Sequence, residues 1–166
     1  MNFTFFAVPA AMALDHEFAG ATKCSMCHKK VEQGEQFRIW QESKHAKAFE
    51  TLGTPAAKEV AAKFGISDPQ TSGKCLKCHA TAYGFSEEKV SEAIPVEEGV
   101  SCESCHGPGK DYMKKSVMQD RETAVAEGLL IPNEQTCRKC HNEESPVFKP
   151  FDYNERWGEI KHSVPQ

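Results

Sequence analysis

Cys102-Glu-Ser-Cys105-His106, embedded in Gly99-Val-Ser-Cys-Glu-Ser-Cys-His-Gly-Pro-Gly109, is one of four copies of the pentapeptide Cys-x-x-Cys-His in this chain of 166 residues. The others are Cys24-Ser-Met-Cys27-His28, Cys75-Leu-Lys-Cys78-His79 and Cys137-Arg-Lys-Cys140-His141, and together they use all 8 cysteines. Two thiols three positions apart can each form a thioether to one haem vinyl group while the adjacent imidazole turns under the ring onto iron. The pattern therefore implies four covalently bound c-type haems. Cys24, Cys27, Cys75, Cys78, Cys102, Cys105, Cys137 and Cys140 are the attachment points, and His28, His79, His106 and His141 the proximal ligands. Zinc ribbons would also use paired cysteines but leave the recurring histidine unexplained. Thioredoxin-like dithiols need a strand-helix context, and bridges across two intervening residues staple a fold poorly.

Composition agrees with haem as the organising apolar material. Only 39% of the residues are hydrophobic and 9% aromatic, 27% are charged, and 11 glycines and 9 prolines interrupt regular structure. That is thin for a self-sufficient core, and four flat porphyrins would supply the missing apolar surface. The fold expected is mainly α, with short helices and long loops wrapped around the haems and little or no sheet. Spacings of 51, 27 and 35 residues between motif starts exclude a regular repeat. The formal net charge of −4 does not suit a nucleic-acid surface. Haem propionates would add acidity, so a redox partner is expected to dock through a basic patch.

Residues 1–13 read as a signal peptide or an apolar N-terminal arm, and 14–166 as one tetrahaem domain. The opening Met1-to-Leu14 run is too short to span a bilayer and ends in a small-x-small site at Ala11-Met12-Ala13. Covalent haem attachment takes place outside the cytoplasmic membrane in bacteria, which makes the expected location periplasmic or extracellular. No other stretch of the sequence is long and apolar enough to cross a membrane.

Local signals define the expected helices. Gln33 to Leu52 places Gln41, His45, Phe49 and Leu52 on one face, with Ser43 able to cap a restart. Thr54-Pro55 opens a helix that Gly65 closes, and Ser86 begins a short acidic one ended by Pro95. Asp120, Asn133 and Asp152 each cap a later segment, the last running from Tyr153 to Lys161 and delivering His162.

Four irons have eight axial positions, whereas the chain has 7 histidines. Beyond the four motif histidines only His16, His45 and His162 remain as distal ligands. One iron must be five-coordinate, use another ligand such as Met113 or Met118, or borrow a histidine from a neighbouring molecule.

The order of a first motif, Trp40-x-x-Ser43-x-His45-Ala46, a second motif, Gly99-Val-x-Cys-x-x-Cys-His-Gly-Pro-Gly109 and a fourth motif resembles the tetrahaem cytochrome c-554 family over residues 20 to 162. The resemblance implies a mostly helical electron carrier with haems in closely packed pairs, three bis-histidine and one five-coordinate. A family member carries electrons from hydroxylamine oxidoreductase in ammonia oxidisers, and relatives are periplasmic or extracellular carriers. By resemblance His45 would be distal to the haem of His106, His162 distal to that of His141, and the haem of His79 open. Family members often place a histidine shortly after Gly-Pro-Gly for the first haem; this chain has Tyr112 there. His16, a methionine or a histidine from another molecule would then be needed, and related multihaem cytochromes polymerise through such shared ligation.

The function expected is electron transfer between redox partners outside the cytoplasm along closely spaced haems, with no catalytic residue required. Two alternatives stand beside it. One is a reductase of a nitrogen-oxide or hydroxylamine-type substrate at a five-coordinate haem, with Tyr83 or Tyr112 as proton donor. The other is a subunit of an electron-conducting filament, joined through self-association.

Overall fold

The computed structural model describes residues 16–85, 90 and 94–162. The apolar opening run and most of the acidic helix expected after Ser86 lie outside the described residues. Among the described residues ten α-helices occur: α1 Ala21–His28, α2 Gln36–Glu42, α3 Ala48–Leu52, α4 Pro55–Lys63, α5 Gly73–His79, α6 Cys102–His106, α7 Lys115–Met118, α8 Arg121–Ala126, α9 Glu134–Arg138 and α10 Tyr153–Ile160. Short 3-10 turns at Val31–Gln33 and Val96–Glu98 complete the regular structure. The described residues form no strand, only one isolated parallel bridge between Phe18 and Val90. The chain is mainly helical, as its composition and motif spacing imply.

Caps set several helix starts. Thr54 Oγ1 accepts from Ala57 N (3.2 Å) with Pro55 in the first turn, and Asp120 Oδ1 accepts from Thr123 N (2.7 Å). Asn133 forms a reciprocal capping box with Thr136, and Asp152 Oδ1 accepts from Glu155 N (3.0 Å). Each satisfies an otherwise orphaned N–H of a first turn.

The expected helical run over 33–52 divides at Ser43, the residue read as able to cap a restart, into α2 and α3. Ser43 takes an extended conformation and its Oγ accepts from His45 N (3.2 Å), a local bond that competes with the helical ladder. Long-range bonds fix the break: Val100 N donates to His45 O (3.0 Å) and Trp40 Nε1 donates to Val100 O (2.8 Å). Tertiary hydrogen bonding overrides the helical pattern, so His45 sits in the turn between α2 and α3 rather than in line with Phe49 and Leu52. Gly99 makes the contact possible, because a Cβ there would lie 2.7 Å from His45 O and its φ is +64°.

The apolar core of the polypeptide is small. Leu52 of α3 meets Leu76 of α5 and Ala80 just beyond it, flanked by Phe49, Cys75 and Val96. Met26, Phe64, Phe85, Ile131 and Val147 stay exposed to solvent. A chain of this size ordinarily covers more of its large hydrophobes, and the polar clasps described below carry much of the tertiary organisation instead.

Candidate functional site

Three of the four motifs lie on helices that end at their histidine: α1, α5 and α6. The fourth starts on α9 and closes through a turn in which His141 N donates to Cys137 O (3.0 Å). Helical spacing puts the two cysteines of a motif, at i and i+3, on the face that carries the histidine at i+4. One face thus presents two thiols and an imidazole together.

The motifs do not neighbour one another in chain order. α1 packs on α6, and the Cys24 thiol reaches hydrogen-bonding distance of Cys102. Cys105 lies near Cys137 and Cys140, and the Cys140 thiol lies beside that of Cys78. These thiol contacts run from first to third, third to fourth and fourth to second. Burial, together with the neighbouring Cys78 thiol, pushes the Cys140 thiol up to about 12. In Cys24 the hydrogen bond to Cys102 and burial also raise the pKa.

A buried carboxylate clamps the first motif to the third. Glu103, 3% exposed and lying between the two cysteines of its own motif, accepts from Ala19 N (2.8 Å), Gly20 N (2.8 Å) and Gly109 N (2.6 Å). Gly20 is the residue from which α1 starts, so this carboxylate faces the positive end of the first motif's helix. Thr81 does the same between second and third motifs: its Oγ1 donates to Gly99 O (2.9 Å), accepts from Ser101 N (2.7 Å) and bonds with Ser104 Oγ (2.8 Å). Lys77 of α5 pairs with Glu144, just past the fourth motif. Neither Glu103 nor Thr81 stands out in the sequence, where both read as ordinary polar residues beside a motif.

Three motif histidines have their Nδ1 engaged by acceptors. His79 Nδ1 donates to Ala48 O (2.7 Å), His106 Nδ1 to Leu130 O (3.1 Å) and His28 Nδ1 to Gln36 Oε1 (3.3 Å). An oxygen that can only accept places the ring proton on Nδ1 and leaves the Nε2 lone pair free, the state a metal-bound imidazole needs. The histidines that lie outside the motifs complete two pairs. His45 lies beside His141 with ring centroids 6.0 Å apart and planes at 73°, and His162 beside His106 at 5.8 Å and 27°. A metal held at about 2 Å by each of two imidazole nitrogens separates the ring centroids by roughly 6 Å.

This pairing differs from the one implied by resemblance, which set His45 against His106 and His162 against His141. The reason is topological. The turn holding His45 is tied by its carbonyl to Val100, and the chain beyond α10 brings His162 to His106, so each distal candidate reaches the other motif. Burial lowers the pKa of His45, His106 and His162, with smaller contributions from His141 at His45, from His28 at His106, and from His106 and His28 at His162. Burial and then Arg156 lower that of His141. All four are held neutral at pH 7, ready to coordinate.

His16 is also placed. Its Nδ1 meets Asp111 Oδ2 at 2.9 Å, and its ring is 13% exposed. Tyr112 is buried and donates its hydroxyl to Gly107 O (2.8 Å), which removes it as a proton donor to a substrate. Tyr83 and Met113 are exposed, and Met118 is half-buried.

The donor set fits haem better than the other uses of paired cysteines. All eight thiols are free of disulfides. Among the described residues no three His, Cys, Asp or Glu side chains converge as a metal cage. Each motif instead offers two thiols and one imidazole, with Nε2 left free in His28, His79 and His106, whose Nδ1 meets an acceptor oxygen. No described helix is long and apolar enough to cross a membrane.

Comparison with known proteins agrees. The family model described as cytochrome c554 and c-prime matches residues 23–107. Cytochrome c-554 of Nitrosomonas europaea is 32% identical over 155 residues, covering 84% of this chain, and the chain spans 64% of that relative's length. The solved reduced state of cytochrome c554 from Nitrosomonas europaea superimposes with a TM-score of 0.58 at 28% identity, over 87% of this chain and 78% of that one. The four Cys-x-x-Cys-His motifs and these likenesses lead to one conclusion: the chain belongs to the cytochrome c-554 family, as a c-type cytochrome with four covalently bound haems.

Proposed function

We propose that this protein passes electrons between two redox proteins outside the cytoplasm, along a row that runs through the first, third, fourth and second motifs. The observation that carries the reading is the pairing of His45 with His141 and of His162 with His106, each at about the spacing of two imidazoles sharing one metal. Haem iron bound at these motifs supplies reversible one-electron chemistry, at lower potentials with two histidines than with histidine and methionine. The chain's own part is to hold the imidazoles. Ala48 and Leu130 carbonyls orient His79 and His106, the Val100 amide holds the His45 turn, and the Glu103 clasp fixes the first motif against the third.

The two ends of the row are where partners would dock. At the first motif Cys27 and Met26 are exposed; at the second, Lys77 is half exposed on the protein surface. Export follows from the chemistry of attachment rather than from the described residues.

Low-temperature electron paramagnetic resonance on the holoprotein tests the ligand set. His45→Ala and His162→Ala should each convert one low-spin iron to high spin while leaving four haems attached. Retention of the full low-spin complement in either variant would overturn that pair.

A second reading has its own support. With His45 and His162 assigned, at most His16 remains for the distal positions of the irons of His28 and His79, so at least one iron lacks a distal histidine from these 166 residues. An open position of that kind suits reduction of a small nitrogen oxide or hydroxylamine. Nitric oxide titration that perturbs one iron, followed by turnover with an artificial donor, distinguishes an enzyme from a carrier.

A further inference from the structure

We infer that His16 is the distal ligand of the iron at the first motif, supplied from within the same chain and oriented by Asp111. The inference rests on the histidine-ligated reading above and concerns one site that it leaves open.

The N-terminal segment that carries His16 is fastened in place before it reaches α1. Lys110 N donates to Glu17 O (3.0 Å), Lys110 Nζ pairs with Glu17 (2.5 Å), Phe18 is buried, and Ala19 and Gly20 N–H groups end on Glu103. His16 is therefore part of the packed wall formed by the loop after the third motif. Its Nδ1 donates to Asp111 Oδ2 (2.9 Å), a partner that can only accept when ionised. That bond puts the proton on Nδ1 and leaves Nε2 as a bare lone pair.

Nε2 is buried and has no hydrogen-bond partner. A buried polar nitrogen without a partner is costly to leave unpaired, so its placement calls for a ligand. Gly128 does not block it. A Cβ built on Gly128 would lie 2.6 Å from Cδ2, 2.7 Å from Nε2 and 3.1 Å from Cγ of His16. Those near-equal distances put it over the face of the imidazole, since a point in the ring plane beyond the Cδ2–Nε2 edge would be much farther from Cγ. Gly128 thus forms the floor under the ring, and the in-plane direction in which a nitrogen binds metal is left to another group. Its φ of +99° and the absence of a side chain are both required for this seat.

Position selects the iron. His16 lies against the loop of the third motif, on the side of the molecule where the first and third motifs meet. The third motif's His106 already has His162 as its neighbour. The second motif meets the fourth at Cys78 and the third through Thr81, whereas the first meets the third through the same Glu103 that holds the segment carrying His16. The iron on this side without a distal histidine is that of His28.

Spin counting tests the inference without any variant. Dilute wild-type holoprotein should show one high-spin iron in four, that of the second motif; two high-spin irons would overturn it. His16→Ala should raise the count from one to two, and millimolar imidazole should return it to one. Asp111→Asn should keep the iron low spin but raise its midpoint potential, since a carboxylate partner makes the imidazole a stronger donor. An unchanged count in His16→Ala, or a wild-type count that falls from two to one only on concentrating the protein, would overturn ligation within the chain. The His45→Ala and His162→Ala variants serve as controls. If they each add a high-spin iron and His16→Ala does not, this inference alone falls; if none of the three does, histidine ligation itself falls with it.

Discussion

Phe151 lies face to face with the imidazole of His141, ring centroids 4.6 Å apart and planes at 20°. Arg138 sits over Phe151 at 5.7 Å from its centroid and donates to its carbonyl (3.4 Å). The histidine of the fourth motif is thus held by a stacked ring that is itself held by a cation. The stack fixes the plane of His141 at 73° to His45, in contrast to the 27° between His106 and His162. Phe151→Ala should release that angle. The low-spin resonance of the fourth iron should shift and broaden while that of the third stays fixed, and the half-buried position should lower stability by about 1–2 kcal/mol. Electron paramagnetic resonance and denaturant titration read the two effects separately.

Gly99→Ala should act on His45 without touching it. The added Cβ would meet His45 O at 2.7 Å in a backbone conformation that L residues rarely adopt. A loss on the order of 2–4 kcal/mol is expected. The turn holding His45 must move, so high-spin iron should appear at the fourth motif alongside the loss of stability.

Glu103→Gln removes a carboxylate whose two oxygens serve three backbone donors. The amide offers one oxygen and turns a nitrogen toward an N–H group, which should cost about 2–4 kcal/mol. Denaturant unfolding of the holoprotein measures it. Because the clasp ties the first motif to the third, magnetic coupling between those two irons should weaken in the same variant.

Glu98 sets a pH dependence. Burial raises its pKa above the ordinary 4.5, the charge of Glu103 adds to the rise, and hydrogen bonds from Ala21 N and Ser101 oppose it. A carboxyl raised in the folded state favours folding below its unfolded value, and that contribution is lost as pH rises through the folded value. Ionised Glu98 is therefore a liability at neutral pH. Glu98→Gln keeps an acceptor for Ala21 N and discards the charge, so its denaturation midpoint should exceed wild type at pH 7. The advantage should vanish near roughly pH 4, where the wild-type carboxyl is protonated.

The features legible in the sequence are those whose cause is local. Thr54, Asp120, Asn133 and Asp152 cap where a residue type and the three that follow it decide the outcome. The four motifs announce their cofactor for the same reason. His45 was readable as a distal candidate, but its seat in a turn depends on Val100, more than fifty residues away along the chain. Which motif histidine each distal candidate faces is likewise set by chain path, which residue spacing does not encode. Glu103 resembles a solvated helix charge until Ala19, Gly20 and Gly109 are seen converging on it. His16 carried no periodic signal; its significance comes from Asp111 and Gly128, neither of which is near it in sequence.

The interleaved order of the motifs also bears on how the molecule is assembled during synthesis and maturation. The first and second motifs, which form the outer ends of the row, emerge from the ribosome before either inner one. A chain made only as far as Gly109 would hold the first and third motifs together through Glu103 and the second and third through Thr81, while the second would still lack the Cys140 thiol beside Cys78. The fourth motif comes last in sequence, yet it meets the third at Cys105 and the second at Cys78. Removing residues 137–162 would therefore take a site out of the interior of the set rather than from its edge.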